Sequence, residues 1–262
     1  MGSTHTYQQD HRNADIQISI NTLRIAMWSG PRNISTAMMR SWQNRPDCSV
    51  VDEPFYAAYL ASTGLDHPCR EQSLRSQSTD YKTGVAELTE QPVSSPVQYQ
   101  KQMTHHIPRG MNMAWCIGLK HCFLIRDPAQ VIASYVQKMP TIDEDAIGIR
   151  RQAELFQEIT ALTGIAPDVI DSNDVLHNPA RVLAGLCHEL QVDFYPEAML
   201  HWPAGKRASD GVWGSHWYRS VEQSTGFGKY RADGTQLRPA HRALAERMQP
   251  YYEEMASLRI RP

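Results

Sequence analysis

The chain has 262 residues, 41% of them hydrophobic and 21% charged, the balance of an ordinary globular protein. At this length about 70–75% of the unfolded surface is buried on folding, so a sizeable core needs neither disulfides nor metals. Lys and Arg number 26 against 28 Asp and Glu, a net charge of −2, which argues against nucleic acid or an anionic membrane surface as partner while allowing a local basic pocket. No uncharged apolar run reaches the roughly 18 residues of a membrane-spanning helix.

Residues 1–22 are polar and mixed, without the basic and apolar stretches of a secretory signal. The expectation is a flexible N-terminal segment, one α/β domain over 23–262, and a cytoplasmic location. Cys48, Cys69, Cys116, Cys122 and Cys187 are widely spaced with no CxxC, and read as reduced thiols packed as small hydrophobes. His105 and His106 are adjacent, so they cannot share a helical face or one side of a strand, and no metal site is expected.

In chain order, the apolar run Leu23–Trp28 predicts a buried strand meeting a tight turn at Ser29-Gly30-Pro31. A helix follows over Ile34–Trp42, with Ile34, Met38 and Trp42 at four-residue spacing. Cys48–Val51 reads as a second strand, closed by Asp52-Glu53-Pro54. Residues 61–96 are rich in Ser, Thr, Gln, Gly and Pro and predict mobile loops with a short helix. Val97–Met103 and Gly118–Ile125 read as further strands. Asp127-Pro128 is an N-cap with proline at the first helical position, opening a helix to about Lys138. Thr141–Leu162 predicts one helix with a stripe of Ala146, Ile149, Ala153, Phe156 and Ile159. Asp168–Ile170 is a brief strand, and Asn178-Pro179 starts a helix through Leu190. Strands alternating with helices predict a three-layer α/β/α sandwich around a mainly parallel sheet, like that of P-loop nucleotide hydrolases.

The sharpest local feature joins the first strand to the first helix: Gly30, Pro31, Arg32, Asn33, Ile34, Ser35 and Thr36. Gly30 permits a tight turn, the helix start offers unpaired N–H groups, and Arg32, Ser35 and Thr36 add a cation and hydroxyls, a set suited to phosphate or sulfate. A plain strand–helix turn capped by Ser35 or Thr36 accounts for the segment equally well. The second glycine and the lysine of GxxxxGK[ST] are absent, which disfavours metal-assisted ATP chemistry. Phe123–Asp127 imitates a Walker B strand, but Asp127 is better explained as the cap before Pro128. Arg126 at a strand end and Ser134 eight residues on, in the next helix, can converge on a second anion.

At this point the chain resembles the sulfotransferases that use 3′-phosphoadenosine-5′-phosphosulfate (PAPS). Their 5′-phosphosulfate loop is similar to Pro31–Thr36, and their 3′-phosphate motif has the spacing of Arg126, Pro128 and Ser134. The likeness is greatest to a bacterial and plant branch reading WSGPRNxST and DEPF, matched by Trp28–Thr36 and Asp52–Phe55. The resemblance implies sulfuryl transfer from PAPS to a hydroxyl or amine of a small molecule, with 3′-phosphoadenosine-5′-phosphate (PAP) as product and no metal required. It implies Arg32 as the cation on the leaving oxygen. For the general base it implies either Glu53, after the second strand, or a histidine of Lys101–His106, a loosened Lys-Thr-His segment in which extra residues separate Lys101 from His105. A late Arg-Lys-Gly loop of the family is missing; Lys229 and Arg231 are candidate substitutes at the 3′-phosphate, with Phe227 as a cover for adenine, and a plain turn-rich segment accounts for the stretch equally well. Alternatives are a kinase-like phosphotransferase and a catalytically silent nucleotide-binding protein. The acceptor and the oligomeric state have no readable code.

Overall fold

The computed structural model describes residues 22–139, 141–230 and 236–261. The expectations for residues 1–21 and for Arg231 lie outside the described residues. Five strands, β1 (Leu23–Ser29), β2 (Cys48–Asp52), β3 (Val97–Met103), β4 (Lys120–Ile125) and β5 (Asp168–Asp171), form one sheet. Their order is β2-β3-β1-β4-β5, and every neighbouring pair is parallel.

Helix α1 (Ser35–Gln43) follows β1, and α2 (Tyr56–Thr63), α3 (Arg70–Ser76) and α4 (Tyr81–Thr89) lie between β2 and β3. Between β4 and β5 come α5 (Pro128–Tyr135), α6 (Glu144–Ile147) and α7 (Ile149–Thr163). After β5 come α8 (Ser172–His177), α9 (Pro179–Glu189), α10 (Pro196–Met199), α11 (Gly214–Trp217), α12 (Arg219–Glu222) and α13 (Pro239–Ala256).

Both faces of the sheet are covered, which is why its strands read as short apolar runs rather than alternating ones. On one face Ile25, Met27, Tyr99 and Leu124 pack against Met38 and Trp42 of α1 and Leu183 and Leu186 of α9. On the other, Trp28, Phe123 and Val169 pack against Leu155, Phe156 and Ile159 of α7 and Met255 of α13. Each such side chain contributes about 1.5–3 kcal/mol by leaving water. β3 departs from the apolar rule. Its Gln98, Gln100 and Gln102 are buried and linked in a chain, Gln100 Nε2 donating to Gln98 Oε1 at 2.9 Å and Gln102 Nε2 to Gln100 Oε1 at 3.2 Å.

Two stretches differ from their sequence reading. Residues 61–96 carry the end of α2 and the whole of α3 and α4 rather than loops with one short helix. These helices are held by packing more than by propensity: Tyr56, Tyr59 and Leu60 of α2 bury against Trp213 and Tyr218, and Asp80 caps α4 through Thr83 N at 2.8 Å. The expected helix over Thr141–Leu162 breaks at Gly148, whose φ of 65° is left-handed. A Cβ there would stand 3.3 Å from Thr104 Oγ1. Glycine therefore allows both the turn and the close approach of the segment after β3. The helix opened by Pro128 also ends at Tyr135, short of Lys138.

Candidate active site

The carboxyl ends of β1, β2, β3 and β4 open onto one cavity of about 360 Å³, at the end of the sheet where parallel α/β folds bind ligands. After β1 the chain makes a compact loop with two left-handed residues, Arg32 (φ 64°) and Ile34 (φ 55°), each costing about 1–3 kcal/mol. Buried polar groups hold it in that shape. Asn33 Nδ2 donates to Leu124 O at 2.9 Å, Ser172 Oγ donates to Asn33 O at 3.1 Å, and Arg126 Nη1 donates to Arg32 O at 2.6 Å. Neither Ser35 nor Thr36 caps α1. Ile34 occupies the cap position with no side-chain hydrogen bond, so the first-turn N–H groups and the positive end of the helix dipole face the cavity beside Pro31, Arg32, Ser35 and Thr36. Gly30 lies behind the loop, where an added Cβ would meet Ile147 O at 3.0 Å.

The second anion motif lands on the first. Arg32 Nε donates to Ser134 Oγ at 2.9 Å, and Arg126 Nε donates to Gln130 Oε1 at 3.1 Å. Burial pulls both guanidinium groups below their ordinary pKa, and Arg32 pulls Arg126 down further. Asp127 caps α5 by accepting from Gln130 N at 3.1 Å, the role its place before Pro128 predicts. Among the described residues no group of three or more His, Cys, Asp or Glu is arranged to hold a metal ion, and no helix is long and apolar enough to cross a membrane.

Across the cavity stand Glu53, Lys101, His105 and His106. Glu53 has a left-handed backbone (φ 44°), pinned by its N–H to Lys101 O at 3.0 Å and by Gln77 Nε2 to its carbonyl at 3.1 Å. Burial raises its carboxyl pKa, a push that Lys101 opposes and Asp52 reinforces. Lys101 is buried and donates to Asp52 Oδ1 at 2.9 Å, Glu53 Oε1 at 2.6 Å and Tyr218 Oη at 2.6 Å. Burial works against its charge, but the two carboxylates outweigh burial and hold its pKa above the ordinary value. His106 is stacked between Tyr56 (centroids 4.9 Å apart) and Tyr59 (4.7 Å). Burial pushes His105 down to about 3 and His106 well below its usual value, so both rings are neutral at physiological pH.

Of the residues singled out in sequence, Pro31, Arg32, Ile34, Ser35, Thr36, Glu53, Lys101, His105, His106, Arg126 and Ser134 line this one cavity. Lys229 is exposed and outside the lining, although Gly228 is part of it. Phe227 packs edge-on against Trp202 at 5.1 Å, on the core side. Sequence reasoning missed His67, whose Nδ1 lies 3.1 Å from Tyr56 Oη, and also Tyr218, Trp217, Tyr135 and Lys138. Asp52 had a signal, as the acid beside Glu53. Tyr135 directly follows Ser134 of the second anion motif, and the others come from stretches with no motif.

The sulfotransferase domain family model matches residues 23–259. Two curated relatives from Arabidopsis thaliana are called branched-chain-amino-acid aminotransferase-like protein 1 and protein 2. The first is 32% identical over 89% of this chain and 41% of its own length, the second 30% identical over 87% and 40%. The chain thus spans about two fifths of each relative. Among solved structures, a sulfotransferase from Alicyclobacillus acidocaldarius superposes with a TM-score of 0.54 at 11% identity, covering 92% of this chain and 96% of that one. The sulfotransferase domain from the curacin biosynthetic pathway gives 0.50 at 15% identity, covering 92% and 99%. At such identities the likeness concerns the fold, a parallel sheet flanked by helices. With the family model spanning both anion motifs and the β2 and β3 ends, the chain belongs to the sulfotransferase domain family.

Proposed function

We propose that the protein is a cytoplasmic, PAPS-dependent sulfotransferase that needs no metal and acts on a hydroxyl or amine of a small molecule. The observation that carries this reading is the contact between the two anion motifs. Arg32, Arg126 and Ser134 adjoin the open N-terminus of α1 on one side of a cavity whose other side carries Glu53. These groups suit a ligand with two separate anionic ends, the phosphosulfate at the loop and α1, the 3′-phosphate at Arg126 and Ser134.

When bound, PAPS supplies the electrophilic sulfur. Arg32 and the α1 amides neutralise the charge growing on the leaving oxygen, a preorganised electrostatic contribution. Glu53 accepts the proton of the acceptor as general base. The two histidines of the same cavity are neutral and flanked by tyrosine rings, so they shape the acceptor end of the cavity. The test is thermal unfolding with PAP, without added metal, beside Mg·ATP. A ligand bound only by the folded state raises the melting temperature, and PAP is expected to do so. A shift with Mg·ATP and none with PAP overturns the reading in favour of a kinase-like enzyme.

A further inference from the structure

Asp52 ends β2 opposite Lys101 in the parallel β2–β3 register, and Tyr218 reaches both from the segment between α11 and α12. An ammonium has three protons, and the three Lys101 contacts, to Asp52, Glu53 and Tyr218, use all of them. Tyr218 Oη accepts from Lys101 and from Trp213 Nε1 at 3.0 Å, and its own proton is shared between the Asp52 oxygens, at 2.9 and 2.8 Å, and Glu53 Oε1, at 3.3 Å. Asp52 Oδ2 also accepts from Gly211 N at 3.0 Å. The network is saturated at Asp52, Lys101 and Tyr218. Glu53 enters it through Oε1, and among the described residues no hydrogen bond occupies Oε2.

We propose that Asp52, Lys101 and Tyr218 are positioning residues for Glu53: they fix one of its oxygens and leave the other for the acceptor, and they commit the Lys101 ammonium to the base instead of the leaving group. The proposal rests on the reading of Glu53 as base. It gives Lys101 a role different from a direct contact with the co-substrate.

The charges around Glu53 support this geometry. Asp52 comes from β2, Lys101 from β3, Tyr218 from the α11–α12 junction and Tyr56 from α2; His105 and His106 come from the turn after β3, with His67 beyond α2. Burial keeps Tyr56 and Tyr218 protonated and the three histidines neutral. Lys101 is therefore the cation holding Glu53 ionised and Asp52 the opposing anion, while Tyr218 also favours the ionised form.

The test is a difference-infrared titration of the buried carboxyl band, assigned to Glu53 by its loss in Glu53→Gln. PAP affinity and the slow hydrolysis of PAPS, water taking the acceptor's place, are measured alongside. Lys101→Met is expected to move the midpoint up and Asp52→Asn to move it down, each by about 1–3 pH units. Tyr218→Phe is expected to move it up by less and to slow hydrolysis about tenfold or more, with PAP affinity within about twofold of wild type. Unmoved midpoints overturn the proposal, as does a Lys101→Met variant that folds but binds PAP about tenfold more weakly. If Lys101→Met does not fold, Tyr218→Phe decides alone, since it changes no charge: a raised midpoint supports the clamp and an unmoved one overturns it. Glu53→Gln with undiminished hydrolysis, alongside shifted midpoints, sinks the base assignment and leaves the clamp standing.

Discussion

Arg32 and Ser134 meet through a 2.9 Å hydrogen bond across 102 positions of sequence, so the loop after β1 and the helix after β4 form one anion-facing surface. Arg126 completes it by holding the Arg32 carbonyl at 2.6 Å. Two guanidinium groups so placed repel each other, and burial removes the water that would screen them. An anion seated beside both relieves that repulsion.

Arg126→Ala is expected to weaken PAP by about 1.5–3 kcal/mol, the usual cost of a charge-assisted hydrogen bond. AMP, which lacks the 3′-phosphate, is expected to lose less, through the loosened Arg32 carbonyl alone. Titration calorimetry with both ligands separates the contributions. Equal losses would mean that Arg126 acts only by bracing the loop.

The acid limb of turnover is expected above the ordinary glutamate value of about 4.3. Burial raises the Glu53 pKa, Glu53 as the proposed base would work deprotonated, and activity is therefore expected to be lost as pH falls through the raised value. His105, pushed down to about 3, stays neutral through that range. A pH profile of PAPS hydrolysis is expected to keep its acid limb in His105→Gln. A limb that moves in that variant assigns the ionisation to the histidine.

Arg40 of α1 forms a buried two-point ion pair with Asp210, at 2.6 and 2.7 Å. Arg40→Met leaves the Asp210 carboxylate without its cation, and the expected loss in urea unfolding is about 3–5 kcal/mol. Replacing Asp210 by Leu in the same chain is expected to recover part of it. A loss below about 1 kcal/mol, the range of exposed pairs, contradicts the buried reading.

Gly148→Ala is expected to cost about 1–2 kcal/mol from its left-handed backbone, and to disturb the site as well. The new methyl group would press on Thr104 Oγ1 at 3.3 Å and His105 Cβ at 3.4 Å. Urea unfolding and PAP affinity read the two effects separately.

Features that rest on local chemistry were legible in the residues. The apolar runs of β1 and β4 are short and continuous because helices cover both faces, and the caps at Asp127 and Asn178 announce α5 and α9. The Pro31–Thr36 loop and the Arg126–Ser134 spacing found their cavity. What stayed hidden depends on distant partners. The apolar stripe continues in helical register past Gly148, so periodicity could not reveal a break made to fit Thr104. Helices α3 and α4 are short and largely polar, and α2 owes its order to packing against Trp213 and Tyr218. The Lys101–Tyr218 contact joins residues 117 positions apart, and no spacing rule encodes it.

The bond from Tyr218 to Asp52 spans 166 residues, and it sets an order on the birth of the protein. During synthesis all five strands have been made by Asp171, well before Tyr218 leaves the ribosome. The sheet is thus available to collapse first with α1 on one face and α7 on the other, while α9, α13 and the other long-range closures come late. Until Tyr218 arrives, Lys101 has two carboxylates and no hydroxyl to complete its shell. Trp28 and Trp42 of the core lie in the part of the chain made first, whereas the Glu53 network waits for Tyr218. Competence therefore trails compactness, and the last-made third of the chain acts as the timer.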